Sequence, residues 1–132
     1  MRRVSIGLAS LVALLAAQAS VHAADADKSK PQPCFRIGDI QNSVETSRTQ
    51  LNIKTYNNQY FQIDTKGICF IGPGNLSYAI KETPGTGGWI CKPLDMDLIG
   101  GASGQRLPCI VDKITPLTRD QVMALPKKEQ PG

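Results

Sequence analysis

Four cysteines, Cys34, Cys69, Cys91 and Cys109, are spread over most of a short chain with no C-x-x-C pair among them. That spacing excludes a thioredoxin-like redox motif, a zinc knuckle and a haem-attachment motif, each of which needs two cysteines within a few residues of one another. The remaining reading is structural: two disulfides brace a domain whose 132 residues can build one core of limited size. Each cross-link of such span stabilises by about 3 to 5 kcal/mol in the chain-entropy picture. Four cysteines allow three pairings. We expect Cys34 with Cys109, tying the opening strand to the last as neighbours in a closed barrel, and Cys69 with Cys91, bracing the glycine-rich middle.

Disulfides need an oxidising compartment, and the N-terminus reads as the route to one. Met1-Arg2-Arg3 is basic, Val4 to Ala17 is an almost unbroken apolar run, and Val21-His22-Ala23 places small residues where a signal peptidase reads. The expected signal peptide is 1–23, cut after Ala23. Its apolar run falls short of the roughly 20 residues of a membrane-spanning helix, and Gln32-Pro33 before Cys34 is no lipobox. The expected product is therefore periplasmic or secreted, without stable membrane insertion. Residues 24–33, ADADKSKPQP, have nothing to bury and are expected as a disordered leader.

Cleavage there removes Arg2 and Arg3 and lowers the formal charge from +4 to +2. It also removes His22, the one histidine of the chain. A mature chain without histidine has no Ser-His or Cys-His pair, no imidazole base and no histidine ligand for zinc. Two net charges on scattered basic residues give too weak a field for nucleic-acid binding.

From Cys34 onward the pattern is short alternating segments between Gly, Pro and Asn clusters, the signature of an all-β domain. Leu51 and Ile53, then Phe61 and Ile63, alternate with polar residues around Asn57-Asn58, which can take the positive φ of a tight turn. Phe35 and Ile37 mark a strand over 34–40. Leu76, Tyr78 and Ile80 mark another, and 89–92, 96–99 and 109–115 supply the rest. Six or seven short strands fit a small barrel or strongly curved antiparallel sheet. Thr118 with Gln121 matches a capping box, and Leu117 can staple onto Val122. A short C-terminal helix follows to about Leu125, ended by Pro126. The domain is expected over 34–125 and a polar tail over 126–132.

Trp89 is the one tryptophan, between the loop Gly85-Thr86-Gly87-Gly88 and Cys91. A lone aromatic beside a disulfide is usually core, but as a binding anchor it is the best functional lead in the chain. Tyr56 and Tyr60 flank the hairpin turn and could add contact area or simply pack across strands. Asp95 and Asp97, two apart, would share a strand face as a cation clamp or acid-base pair; with no third ligand in view, a solvated face is the plainer reading. The glycine-rich stretches lack the phosphate-loop pattern and read as turns. No catalytic residue, metal or cofactor is expected.

Cys34-Phe35, Ser47-Arg48-Thr49, Gly67-Ile68-Cys69, Trp89-Ile90-Cys91, Cys109, Lys113 to Thr118 and the Gln121 to Leu125 helix together resemble a family of small exported four-cysteine bacterial proteins of unknown function. The resemblance spans Cys34 to Leu125. Members often carry acidic residues where this chain has Thr46-Ser47 before Arg48-Thr49. The resemblance implies an envelope-directed protein and brings no activity, ligand or site residue with it. The functional expectation is a non-catalytic binding or structural accessory module with an envelope or secreted protein as partner. The alternatives are an inhibitor of an exported hydrolase, or an enzyme using Asp95 and Asp97.

Overall fold

Residues 50 to 64 form the hairpin that their alternation predicts, and the sheet is built outward from it. In a computed structural model that describes residues 33–102 and 104–132, the strands in chain order are β1 (Phe35–Arg36), β2 (Ile40–Ser47), β3 (Gln50–Thr55), β4 (Tyr60–Lys66), β5 (Ala79–Glu82), β6 (Trp89–Ile90), β7 (Met96–Gly100) and β8 (Leu107–Leu117), followed by the helix α1 (Arg119–Met123). The expected signal peptide and leader lie outside the described residues except for Pro33. At the hairpin turn the Thr55 N–H donates to the Gln59 carbonyl and the Asn58 N–H to the Thr55 carbonyl, both at 2.9 Å. Asn58 alone of the pair turns left-handed, at φ 58°, a conformation its short polar side chain tolerates.

Strands β2-β3-β4-β8-β7-β5 form one six-stranded antiparallel sheet, curled into a half-barrel, while β1 pairs with β6 in a separate two-stranded ribbon. The core fills the curl. Phe35, Leu51, Ile53, Phe61, Ile63, Phe70, Ile90 and Leu98 are all at 2% exposure or less, each burial being worth about 1.5 to 3 kcal/mol. Phe35 carries the ribbon into this core, its ring centroid 4.7 Å from that of Phe61.

The described residues hold eight strands, more than the alternation predicts, and β2 is the strand it misses. Register explains why. Ser43 lies opposite Ile53 and Glu45 opposite Leu51, so the inward face of β2 carries a hydroxyl and a carboxylate where a strand pattern needs apolar residues. Both are answered from the segment that leads into β5. The Ser77 N–H and hydroxyl donate to Glu45 Oε1 at 2.7 and 2.9 Å, and the Gly72 N–H to Oε2 at 3.1 Å. The Gly74 N–H adds a bond to the Glu45 carbonyl at 3.3 Å, and the Tyr78 hydroxyl meets Ser43 Oγ. β2 and β5 are the two edges of the sheet, so these bonds close its seam with side chains in place of a ladder. Leu76 is consequently no strand residue: β5 begins at Ala79 and Leu76 is 70% exposed.

The disulfides are Cys34–Cys91 and Cys69–Cys109, which corrects the expected pairing of Cys34 with Cys109 and Cys69 with Cys91. That expectation made the opening strand a neighbour of the last. Instead β8 lies in the middle of the sheet between β4 and β7, and β1 leaves it altogether. In the ribbon Phe35 faces Ile90 and Arg36 faces Trp89, so one register step outward sets Cys34 opposite Cys91. The second disulfide joins the segment that follows β4 to β8, the strand paired with β4. Gly100 lies against it: a Cβ there would stand 1.9 Å from the Cys69 carbonyl oxygen and within 2.8 Å of both sulfurs.

The capping box forms as expected, with Gln121 N–H on Thr118 Oγ1 at 3.2 Å and Thr118 N–H on Gln121 Oε1 at 2.7 Å. Val122 is buried below it. Beyond Pro126 the chain packs back across the outer face of the hairpin. A 3₁₀ turn at Lys127–Glu129 brings the Glu129 carbonyl to Asn52 Nδ2 at 3.3 Å and the Gly132 carbonyl to Lys54 Nζ at 3.0 Å.

Candidate functional site

The ribbon presents an exposed tryptophan on a support closed by a disulfide. Trp89 is 49% exposed although its neighbour Ile90 is fully buried, because alternation on β6 turns one inward and the other out. It is therefore not a core residue. The Arg36 guanidinium lies 5.5 Å from the Trp89 ring centroid, a cation–π contact worth about 0.5 to 1 kcal/mol at an exposed site. Cys34–Cys91 closes the ribbon immediately beside it.

The loop before Trp89 turns sharply, with Gly85, Gly87 and Gly88 all at positive φ and Thr83 holding it through its carbonyl, which accepts from Thr86 N–H at 3.3 Å and Thr86 Oγ1 at 3.0 Å. Gly88 packs into the site: a Cβ there would lie 3.0 Å from Glu82 Oε2 and 3.6 Å from Arg36 Nε. Two open depressions flank the Arg36–Trp89 pair. One, of about 280 Å³, is lined by Arg36, Gly38, Asp39, Glu82 and Gly88. The other, of about 370 Å³, is lined by Thr86, Trp89, Lys92 and Asp95.

Tyr56 is 69% exposed at the hairpin turn, and its N–H donates to the Asp39 carbonyl at 2.9 Å. That bond ties the turn to the 3₁₀ turn Ile37–Asp39, and so to the depression that holds Arg36. Tyr60 is partly buried, placed between Lys54 and Leu117 across the strands. The aspartates do not share a strand face. Asp95 ends the 3₁₀ turn Pro93–Asp95, where Oδ2 accepts the Cys91 and Lys92 N–H groups at 3.0 Å each. Asp97 is exposed on β7 opposite Lys81. Among the described residues no group of three His, Cys, Asp or Glu side chains could hold a metal.

Sequence reasoning passed over two residues here. Arg36 looks like any exposed cation until the ribbon sets it opposite Trp89. Glu45 looks like a solvated carboxylate until register turns it inward; a glutamate near small residues and tight turns gives no signal of burial. Beside it, burial raises the Tyr78 hydroxyl pKa above its ordinary 10.0, the Ser43 hydrogen bond opposing this and the nearby Glu45 charge adding to it.

No family model, curated protein or solved structure matches the chain.

Proposed function

We propose that this is an exported, non-catalytic binding module of the bacterial envelope, which recognises a protein partner through Trp89, Arg36 and the loop Gly85 to Gly88. One observation carries the reading. A tryptophan held by a disulfide, a buried neighbour and a stacked arginine stands half in water, and a large aromatic on a rigid support is the residue type that dominates binding energy at interfaces. Export is supported by two disulfides and no free cysteine among the described residues, since such bonds persist in oxidising compartments. No helix among the described residues is long and apolar enough to cross a membrane. The resemblance to exported four-cysteine proteins points the same way. The carboxylate-enzyme reading is weakened by the loss of its pair, Asp95 being occupied by two backbone amides.

The test is cross-linking of the tagged protein in cells that export it, run beside Trp89→Ala. A dominant envelope or secreted partner that disappears with Trp89→Ala, while the melting temperature holds, supports the module. A captured hydrolase whose activity falls would make that module an inhibitor. Capture that ignores the substitution removes the ribbon from recognition.

A further inference from the structure

A further concavity shares no lining residue with the ribbon: a cleft of about 270 Å³ between the seam segment that runs into β5 and the residues that follow β7. Both of its walls are pinned from behind. On one, Glu45 draws Gly72 and Ser77 inward, which leaves Ile71 and Leu76 facing out, 49% and 70% exposed. On the other, Gly100 lies against the Cys69–Cys109 disulfide, and a Cβ at Gly101 would stand 2.7 Å from the Ser77 carbonyl oxygen. Walls held this way need little ordering when a ligand enters.

The lining has one sign of charge. Ile71, Leu76, Ala79 and Ile99 supply apolar surface, Arg106 supplies a cation with Gln105 beside it, and no Asp or Glu among the described residues lines the cleft. The other polar groups are occupied, the Tyr78 hydroxyl with Ser43 and the Ser77 hydroxyl with Glu45. The ion pair found among the described residues is Lys66–Asp112, so Arg106 enters no pair there. The nearby carboxylate, Glu45, lies behind Ser77 with its oxygens taken by three donors, so a metal or organic cation would meet no carboxylate in the cleft itself, a polyanion would meet a single arginine, and a sugar would leave the aliphatic walls unmatched. We propose that this cleft binds a small amphipathic monocarboxylate, an alkyl or aryl acid whose apolar body lies on Ile71, Leu76 and Ile99 and whose carboxylate pairs with Arg106.

The test titrates the full disulfide-bonded chain with octanoate, 3-phenylpropionate and the neutral octanamide, followed by amide chemical shifts. Octanoate should bind about two- to fivefold tighter than octanamide, as expected for a carboxylate paired with an exposed arginine, with shifts centred on 71–79 and 99–106. Arg106→Gln should erase that preference, and Leu76→Asp should weaken both acids by about tenfold. Both positions are exposed, and an unchanged urea midpoint checks that the variants fold. Trp89→Ala should bind octanoate as the parent does, which separates this cleft from the ribbon. Equal binding of acid and amide, no binding, a preference that survives Arg106→Gln, or shifts centred on Trp89 would each overturn the proposal.

Discussion

Glu45 carries a carboxylate to a site with no solvent exposure, and three donors stand in for the water it gave up. In Glu45→Gln one carboxylate oxygen becomes an amide that faces a backbone N–H, leaving a donor against a donor. Unmatched buried polar groups cost about 1 to 3 kcal/mol each, and more for bonds to a charge. We expect Glu45→Gln to lower the urea unfolding free energy by about 2 to 3 kcal/mol; an unchanged midpoint would mean the seam bonds contribute nothing net. Gly100 poses the opposite problem, since its site has no room for a methyl group. The atom that a Cβ would meet first is backbone, which cannot swing away. Gly100→Ala should therefore leave Cys69 and Cys109 unpaired or the chain unfolded, and a thiol titration of the purified protein reads this directly: two reactive thiols or aggregation in the variant, none in the parent.

At the level of elements, the hairpin and the C-terminal helix were legible because each contains its own signals. Leu51, Ile53, Phe61 and Ile63 alternate, Asn58 allows the turn, and Thr118 and Gln121 cap each other. β2 was not legible, because its inward residues are polar and their partners lie some 30 residues away at Gly72 and Ser77. The ribbon β1–β6 is the element most dependent on a covalent tie, having two residues in each strand; an isolated pair so short has no stability of its own in water. Cys34–Cys91 closes a loop of 57 residues, worth about 4 kcal/mol in the chain-entropy model. Replacing both cysteines by serine should cost about that much and lower the fluorescence anisotropy of Trp89 as the ribbon loosens. Undiminished anisotropy would show that Phe35 and Ile90 hold the ribbon without the cross-link.

For the molecule as a whole, the half-barrel is joined at one seam by side chains, and the seam includes a titratable phenol. Tyr78 is neutral in the fold with a pKa raised by burial. The unfolded chain thus loses its proton first as pH climbs past the ordinary value, and the folded state, binding more protons, loses stability across that interval. Stability from this group is whole below about pH 10 and falls as pH rises toward the folded value. Urea midpoints measured from pH 8 upward should decline above about pH 10, and Tyr78→Phe should decline less steeply. An identical slope in the two proteins would place the alkaline sensitivity elsewhere. The exposed Lys66–Asp112 pair, at 3.5 Å, should contribute little at any pH, since surface pairs are screened and cost side-chain entropy.

What the sequence by itself determined is local: strand alternation, a left-handed asparagine, a capping box, and four cysteines that require oxidation. Each of these rests on residues a few positions apart, where backbone geometry alone sets who meets whom. The disulfide pairing, the burial of Glu45, the Arg36–Trp89 stack and the cleft beside Arg106 were decided by tertiary structure. All four depend on strand order and register. β1 left the sheet for β6, β8 entered its middle, and β2 came to face a segment it can reach only when the half-barrel curls. A one-residue shift of register would turn Glu45 to solvent and move Cys34 away from Cys91, and that choice is made by the packing of the whole core.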